Sequence, residues 1–238
     1  TGHVLLQVYP ADGSVGSLSA HFQLVVVPNV LQPDFLDLFI LSDINLKRSP
    51  LLGLQDGGSQ LLDLNHLTNG IWHSTHVLEP GQEGNVTFVA LGLDDDLNLL
   101  KADLAMTVGT VLAGSAKRIT GDGVELDFDL DSFDADGVVA ILPGRDKEIS
   151  TELIPLAQPV FVHASEPFRH EGGQIYMDRV PNSRRPGIYR WAEKNRHWVF
   201  AGAAETEARI EAPLDGNGLY ALMEDLTPPV LEEEELNG

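Results

Sequence analysis

The sequence predicts an all-β protein made of two tandem β-sandwich domains. Three observations carry that expectation. Between Pro186 and Asp225, three short apolar-aromatic runs are separated by polar, turn-type residues. They are Pro186-Gly-Ile-Tyr-Arg-Trp191, His197-Trp-Val-Phe200 and Gly218-Leu-Tyr-Ala-Leu-Met223. Each is about one strand long, and aromatic and β-branched residues suit a pleated, half-buried surface. From Val124 the chain alternates strictly, with Val124, Leu126, Phe128 and Leu130 on one face and Glu125, Asp127 and Asp129 on the other, as a half-buried strand requires. Six or seven further strand-length segments with turns between them fill the first hundred residues, which is the spacing of a sandwich.

The chain has 238 residues, enough for one large β domain or two ordinary ones. Its apolar fraction of 43% supplies a core. No run approaches the roughly 18 apolar residues of a membrane helix, so no membrane insertion is expected. The start at Thr1 has neither a basic segment nor an apolar one, so any signal peptide is expected to be already removed or to lie outside this chain. The formal charge is −21. Such a field repels nucleic acid and anionic lipid and attracts cations. The absence of cysteine excludes disulfides, thiolate metal sites and cysteine nucleophiles.

In chain order, His3–Tyr9 predicts a first strand, and Pro10–Gly13 a turn. Leu18–Val27 predicts a second strand, ended by Pro28-Asn29. Phe35–Leu41 is a third apolar run whose length and Pro33 and Ser42-Asp43 boundaries favour a strand. Leu46–Gly58 holds a loop and one short strand. Ser59–Leu67 fits a strand or a helical turn equally. Gly70–Leu78 and Asn85–Leu93 are strands around a clear turn at Glu79–Gly84, and Asp94-Asp95-Asp96-Leu-Asn98 closes the second of them.

The order of these segments resembles the immunoglobulin-like modules of large bacterial surface and secreted proteins. The residues that carry the resemblance are Val27-Pro-Asn29, Gln32-Pro-Asp-Phe-Leu-Asp37, Trp72-His-Ser-Thr-His-Val-Leu-Glu-Pro-Gly81 and Asn85-Val-Thr-Phe-Val-Ala-Leu-Gly-Leu-Asp94, and the resemblance spans residues 1–100. It implies a first Ig-like sandwich over 1–102.

Lys101–Ala105 is read as a bridge to the second block, 103–228. There, Met106–Leu112, Val124–Leu130, Val138–Leu142 and Gln174–Asp178 predict strands, and Ile154–Val162, interrupted by two prolines, an edge or irregular strand. The end of this block, with Ile188-Tyr-Arg-Trp191, Trp198-Val199, Gly218-Leu-Tyr-Ala-Leu222 and Asp225-Leu-Thr-Pro-Pro229, resembles a β-sandwich that such surface proteins carry beside Ig-like modules. Residues 229–238 read as an acidic linker, because the Pro228-Pro229 pair that opens it favours extended chain and four adjacent glutamates repel one another.

Two sets of residues are candidate sites. Asp129, Asp131, Asp134 and Asp136 lie close together before Gly137, and a hard cation such as Ca²⁺ takes several oxygen ligands at once. The spacing is not that of an EF-hand: counted from Ser132, the twelfth position is Pro143. The alternative is a solvated acidic turn. Trp191, Trp198 and Tyr189, with Arg184, Arg185 and Arg190, offer aromatic faces for a sugar and guanidinium groups for a carboxylate or an acidic patch; the alternative roles are core filling and surface pairing. His73 and His76 stand three apart and so on opposite faces of a strand, which keeps them from one metal. The sequon Asn85-Val-Thr87 is short enough to arise by chance. No phosphate-cradling glycine loop, nucleophile elbow or His-Glu-x-x-His motif occurs.

The expected role is a non-catalytic accessory segment of a larger extracellular or cell-surface protein, spacing or presenting neighbouring domains. The alternatives are a glycan- or protein-binding module using residues 168–200, and a carboxylate-dependent hydrolase.

Overall fold

The computed structural model describes residues 14–15, 21–56, 58–167, 169, 172–206 and 208–226. The strand expected at His3–Tyr9, the turn at Pro10–Gly13 and the tail at 229–238 lie outside them. All the regular structure described is strand. No helix of the described residues is long and apolar enough to cross a membrane.

Among the described residues, twenty strands follow in order. The first eight are β1 (Ser14–Val15), β2 (Phe22–Pro28), β3 (Phe35–Ser42), β4 (Leu51–Gln55), β5 (Gln60–Leu62), β6 (Asn65–Thr68), β7 (Ile71–Val77) and β8 (Gly84–Leu93). Next come β9 (Leu99–Val111), β10 (Lys117–Gly121), β11 (Val124–Phe128), β12 (Gly137–Pro143), β13 (Leu153–Pro155) and β14 (Val160–Ala164). The last six are β15 (Gly173–Asp178), β16 (Pro186–Ala192), β17 (His197–Gly202), β18 (Ala204–Glu205), β19 (Arg209–Pro213) and β20 (Gly218–Asp225).

They form three antiparallel sheets. One outer sheet runs β1-β2-β3-β7-β6 and the other β10-β11-β15-β19-β18. Between them lies a ten-stranded sheet in the order β17-β16-β20-β14-β12-β9-β8-β4-β5, with β13 added beside β20. The layering follows from period-2 side-chain direction. On β12, Val138, Ala140 and Leu142 join the core under the first outer sheet, while Val139 and Ile141 join the core under the second. On β20, Leu219, Ala221 and Met223 face the first core, and Tyr220 and Leu222 the second. Strands apolar on both faces must lie inside a sheet covered on both sides, and β12 and β20 do. On β8 one face, with Val86, Phe88, Ala90 and Gly92, is deeply buried; its other face carries the half-buried Thr87, Val89 and Leu91.

The all-β expectation holds, in layered antiparallel sheets. Two separate Ig-like sandwiches are not distinct in this arrangement, because one sheet contains strands from both halves. Residues 102 and 103 fall within β9, whose Leu99–Val108 stretch pairs with β8 and whose Thr107–Val111 stretch pairs with β12. Lys101–Ala105 reads as a bridge because Lys101, Asp103 and Ala105 occupy the open face; Ala102 and Leu104, between them, are buried. Residues 59–67 resolve into two short strands, β5 and β6. The strand expected at Ile154–Val162 divides into β13, whose Pro155 pairs with Met223 beside β20, and β14, which starts after Pro159 and is interior, between β12 and β20. Leu130 is 60% exposed: the alternation runs past the strand, which ends at Phe128.

Candidate functional site

Strands β16 and β17 form a hairpin whose turn is closed by the Asn195 and Arg196 amides donating to the Ala192 carbonyl, at 3.2 and 2.8 Å. This register sets Trp191 directly opposite Trp198. Their rings meet edge to face at 5.4 Å, an arrangement the ring quadrupoles favour. The segment between β12 and β13 covers them. Lys147 places its Nζ 5.5 Å from the Trp191 ring centre and 3.4 Å from a Glu193 carboxylate oxygen. The two tryptophans are 6% and 8% exposed, so their ring faces are taken up by each other, by Lys147 and by the core. Tyr189 lies on the same side of the sheet and packs edge to face on Phe200 at 5.5 Å.

Arg190 points to the opposite side, where its Nη2 donates to the Asn217 carbonyl at 3.1 Å beside Tyr220. Arg184 and Arg185 lie in the segment entering β16, and the Arg185 carbonyl accepts the Asp225 amide. The fold thus brings Tyr189, Trp191 and Trp198 together and turns Arg190 to the other side of the sheet.

The aspartates at 129–136 occupy the connection from β11 to β12. Arg169 engages Asp134 through Nε and Nη2 and stands 3.8 Å from Asp131. The hydrogen bond from Arg169 holds the Asp134 carboxyl below its ordinary range. Asp136 accepts the Ala113 amide at 2.9 Å. Among the described residues, no group of three or more His, Cys, Asp or Glu is placed to hold a metal ion. His73 and His76 do face opposite ways: His73 Nε2 meets Asp37 at 2.9 Å, while His76 is buried with its ring edge to face with Phe88.

Three features were not anticipated. The first is Glu125, expected on a solvated face but only 8% exposed. Arg209 Nη1 lies 2.9 Å from one of its carboxylate oxygens, and Arg118 Nε 3.3 Å from the other. Arg118 also binds Asp127 at 2.6 Å. The network joins the β10–β11 hairpin to β19, far along the chain, so no local motif announces it. The second is His163, buried on β14, whose Nε2 lies 2.7 Å from the Pro33 carbonyl on the loop between β2 and β3. Burial lowers its pKa, against the opposing pull of that carbonyl and of Asp34.

The third feature is an open groove of about 870 Å³ where the second outer sheet stops short of covering β8 and β9. Asn85, Thr87 and Thr107 line it from the central sheet, and Asp122, Asp178 and Arg179 from the second outer sheet. Thr107 donates its hydroxyl to Asn85 at 3.0 Å, and Arg179 pairs with Glu205 at 3.2 Å. The groove offers hydrogen-bonding side chains over a partly apolar floor, a lining suited to an oligosaccharide or a polar peptide.

Comparison with known proteins finds no match: no family model, no curated protein and no solved structure.

Proposed function

We propose that the chain is a non-catalytic structural segment of a larger extracellular or cell-surface protein, which spaces or presents neighbouring domains. The observation that supports this reading is the ten-stranded sheet. It contains strands from both halves of the chain and carries a packed layer on each side at β12 and β20. A sheet shared in this way resists bending between the halves, which a spacer needs and two sandwiches on a flexible linker lack. The charge of −21 keeps such a surface soluble and like-charged copies apart. The descent of the two halves from tandem Ig-like modules, and a bacterial surface setting, belong to this proposal. Pulling the chain by its ends between reference domains tests it. A rigid spacer releases the contour length of the whole chain in one high-force event; stepwise release of the two halves at low force would remove the reading.

The second reading is a binding module, and the groove favours it. Arg179 and Val180 bring the 168–200 region into its wall, whereas Trp191 and Trp198 are in the core. Amide shifts confined to residues 85–87, 105–107 and 178–181 on titration with oligosaccharides would support this reading, and unchanged spectra across a broad glycan panel would remove it.

A further inference from the structure

We propose that the outer edge of β17 is a docking strand for an extended, acidic segment of a partner protein. β17 ends the ten-stranded sheet and, among the described residues, pairs with β16 alone. Its far edge therefore presents main-chain donors and acceptors that another strand can take up. β17 has no proline and no charged residue after His197, and it leaves Val199 44% and Phe200 57% exposed. An added strand would lay side chains beside both.

Charge selects the partner. Residues 179–202 hold six cations against one carboxylate, Glu193, a net of +5 in a chain of net −21. Glu193 already meets Lys147. Lys194 and Arg196 stand exposed at the β16–β17 turn. Arg184 stands exposed in the segment before β16, at the end of the hairpin where Gly202 pairs with Ile188. None of these three cationic side chains has an ion pair or hydrogen bond among the described residues. The turn end of the free edge thus carries unpaired positive charge. An acidic strand meets the opposite field, and its backbone supplies the hydrogen bonds.

The test uses the full chain and three labelled peptides in fluorescence anisotropy. One alternates Val and Glu over nine residues, one alternates Val and Lys, and one repeats the acidic sequence with every backbone nitrogen methylated. The acidic peptide should bind, weaken with added salt, and lose about ten-fold in affinity to Lys194→Glu/Arg196→Glu. The methylated peptide should not bind, because it cannot donate to the edge. Both substituted sites are exposed, and an unchanged unfolding midpoint confirms that the variant is folded. The proposal is overturned if the acidic peptide does not bind at millimolar concentration, if either control peptide binds as well, or if sedimentation shows the chain dimerising through this edge.

Discussion

His163 ties the central sheet to the first outer sheet through a polar contact with the Pro33 carbonyl on the β2–β3 loop. Its neutral ring suits that place, since a buried imidazolium would be poorly solvated. Because burial lowers the folded pKa below the ordinary imidazole value, the unfolded chain takes up its proton first as pH falls. Stability from this group is therefore complete above about pH 6.5 and is lost progressively below it. His76, also lowered chiefly by burial, acts in the same direction. Urea midpoints should fall between about pH 7.5 and about pH 5. His163→Gln, which keeps a donor for the Pro33 carbonyl, should remove part of that fall. An unchanged pH slope in the variant would show that His163 does not titrate with folding. The sequence marks His163 as one histidine among eight. It does not show that Pro33, one hundred and thirty residues away, lies against it.

At the scale of elements, alternation and turn residues made most strands legible, and they failed where a strand contributes few apolar residues. β10 buries only Ile119, and β19 buries Ile210 and Ala212 amid polar neighbours. Both are held by tertiary pairing rather than by a local pattern. The candidate aromatics were legible as a group because they share one hairpin. Core filling, the ordinary role of such aromatics, is the role they take; the cover that the Lys147 segment gives them was not legible. Layer spacing is a further property of packing alone. A Cβ on Gly109 of β9 would come within 2.7 Å of the Ile119 side chain on β10, so the second outer sheet approaches the central one over a bare backbone. Gly109→Ala should cost about 1–3 kcal/mol in chemical denaturation. In an Ile119→Ala background, where the obstructing atoms are gone, the same substitution should cost much less, giving a coupling of about 1 kcal/mol or more. Additive costs would mean that the layers do not meet at this point.

For the whole molecule, β9 is the strand on which the account turns. Its buried row of Ala102, Leu104, Met106 and Val108 continues without a break across residues 102 and 103, and it joins β8 of the first half to β12 of the second. The first core draws residues from both halves, so unfolding of the first half would strip one face of β12 and β20 of its packing. The groove beside β8 and the free edge of β17, the two surfaces proposed for binding, then lie on the same central sheet. Differential scanning calorimetry of the full chain tests the shared sheet most directly. The account predicts one transition whose calorimetric and van't Hoff enthalpies agree. Two resolved transitions, with Gly109→Ala lowering only the second half's, would contradict it and return the chain to two independently folding sandwiches.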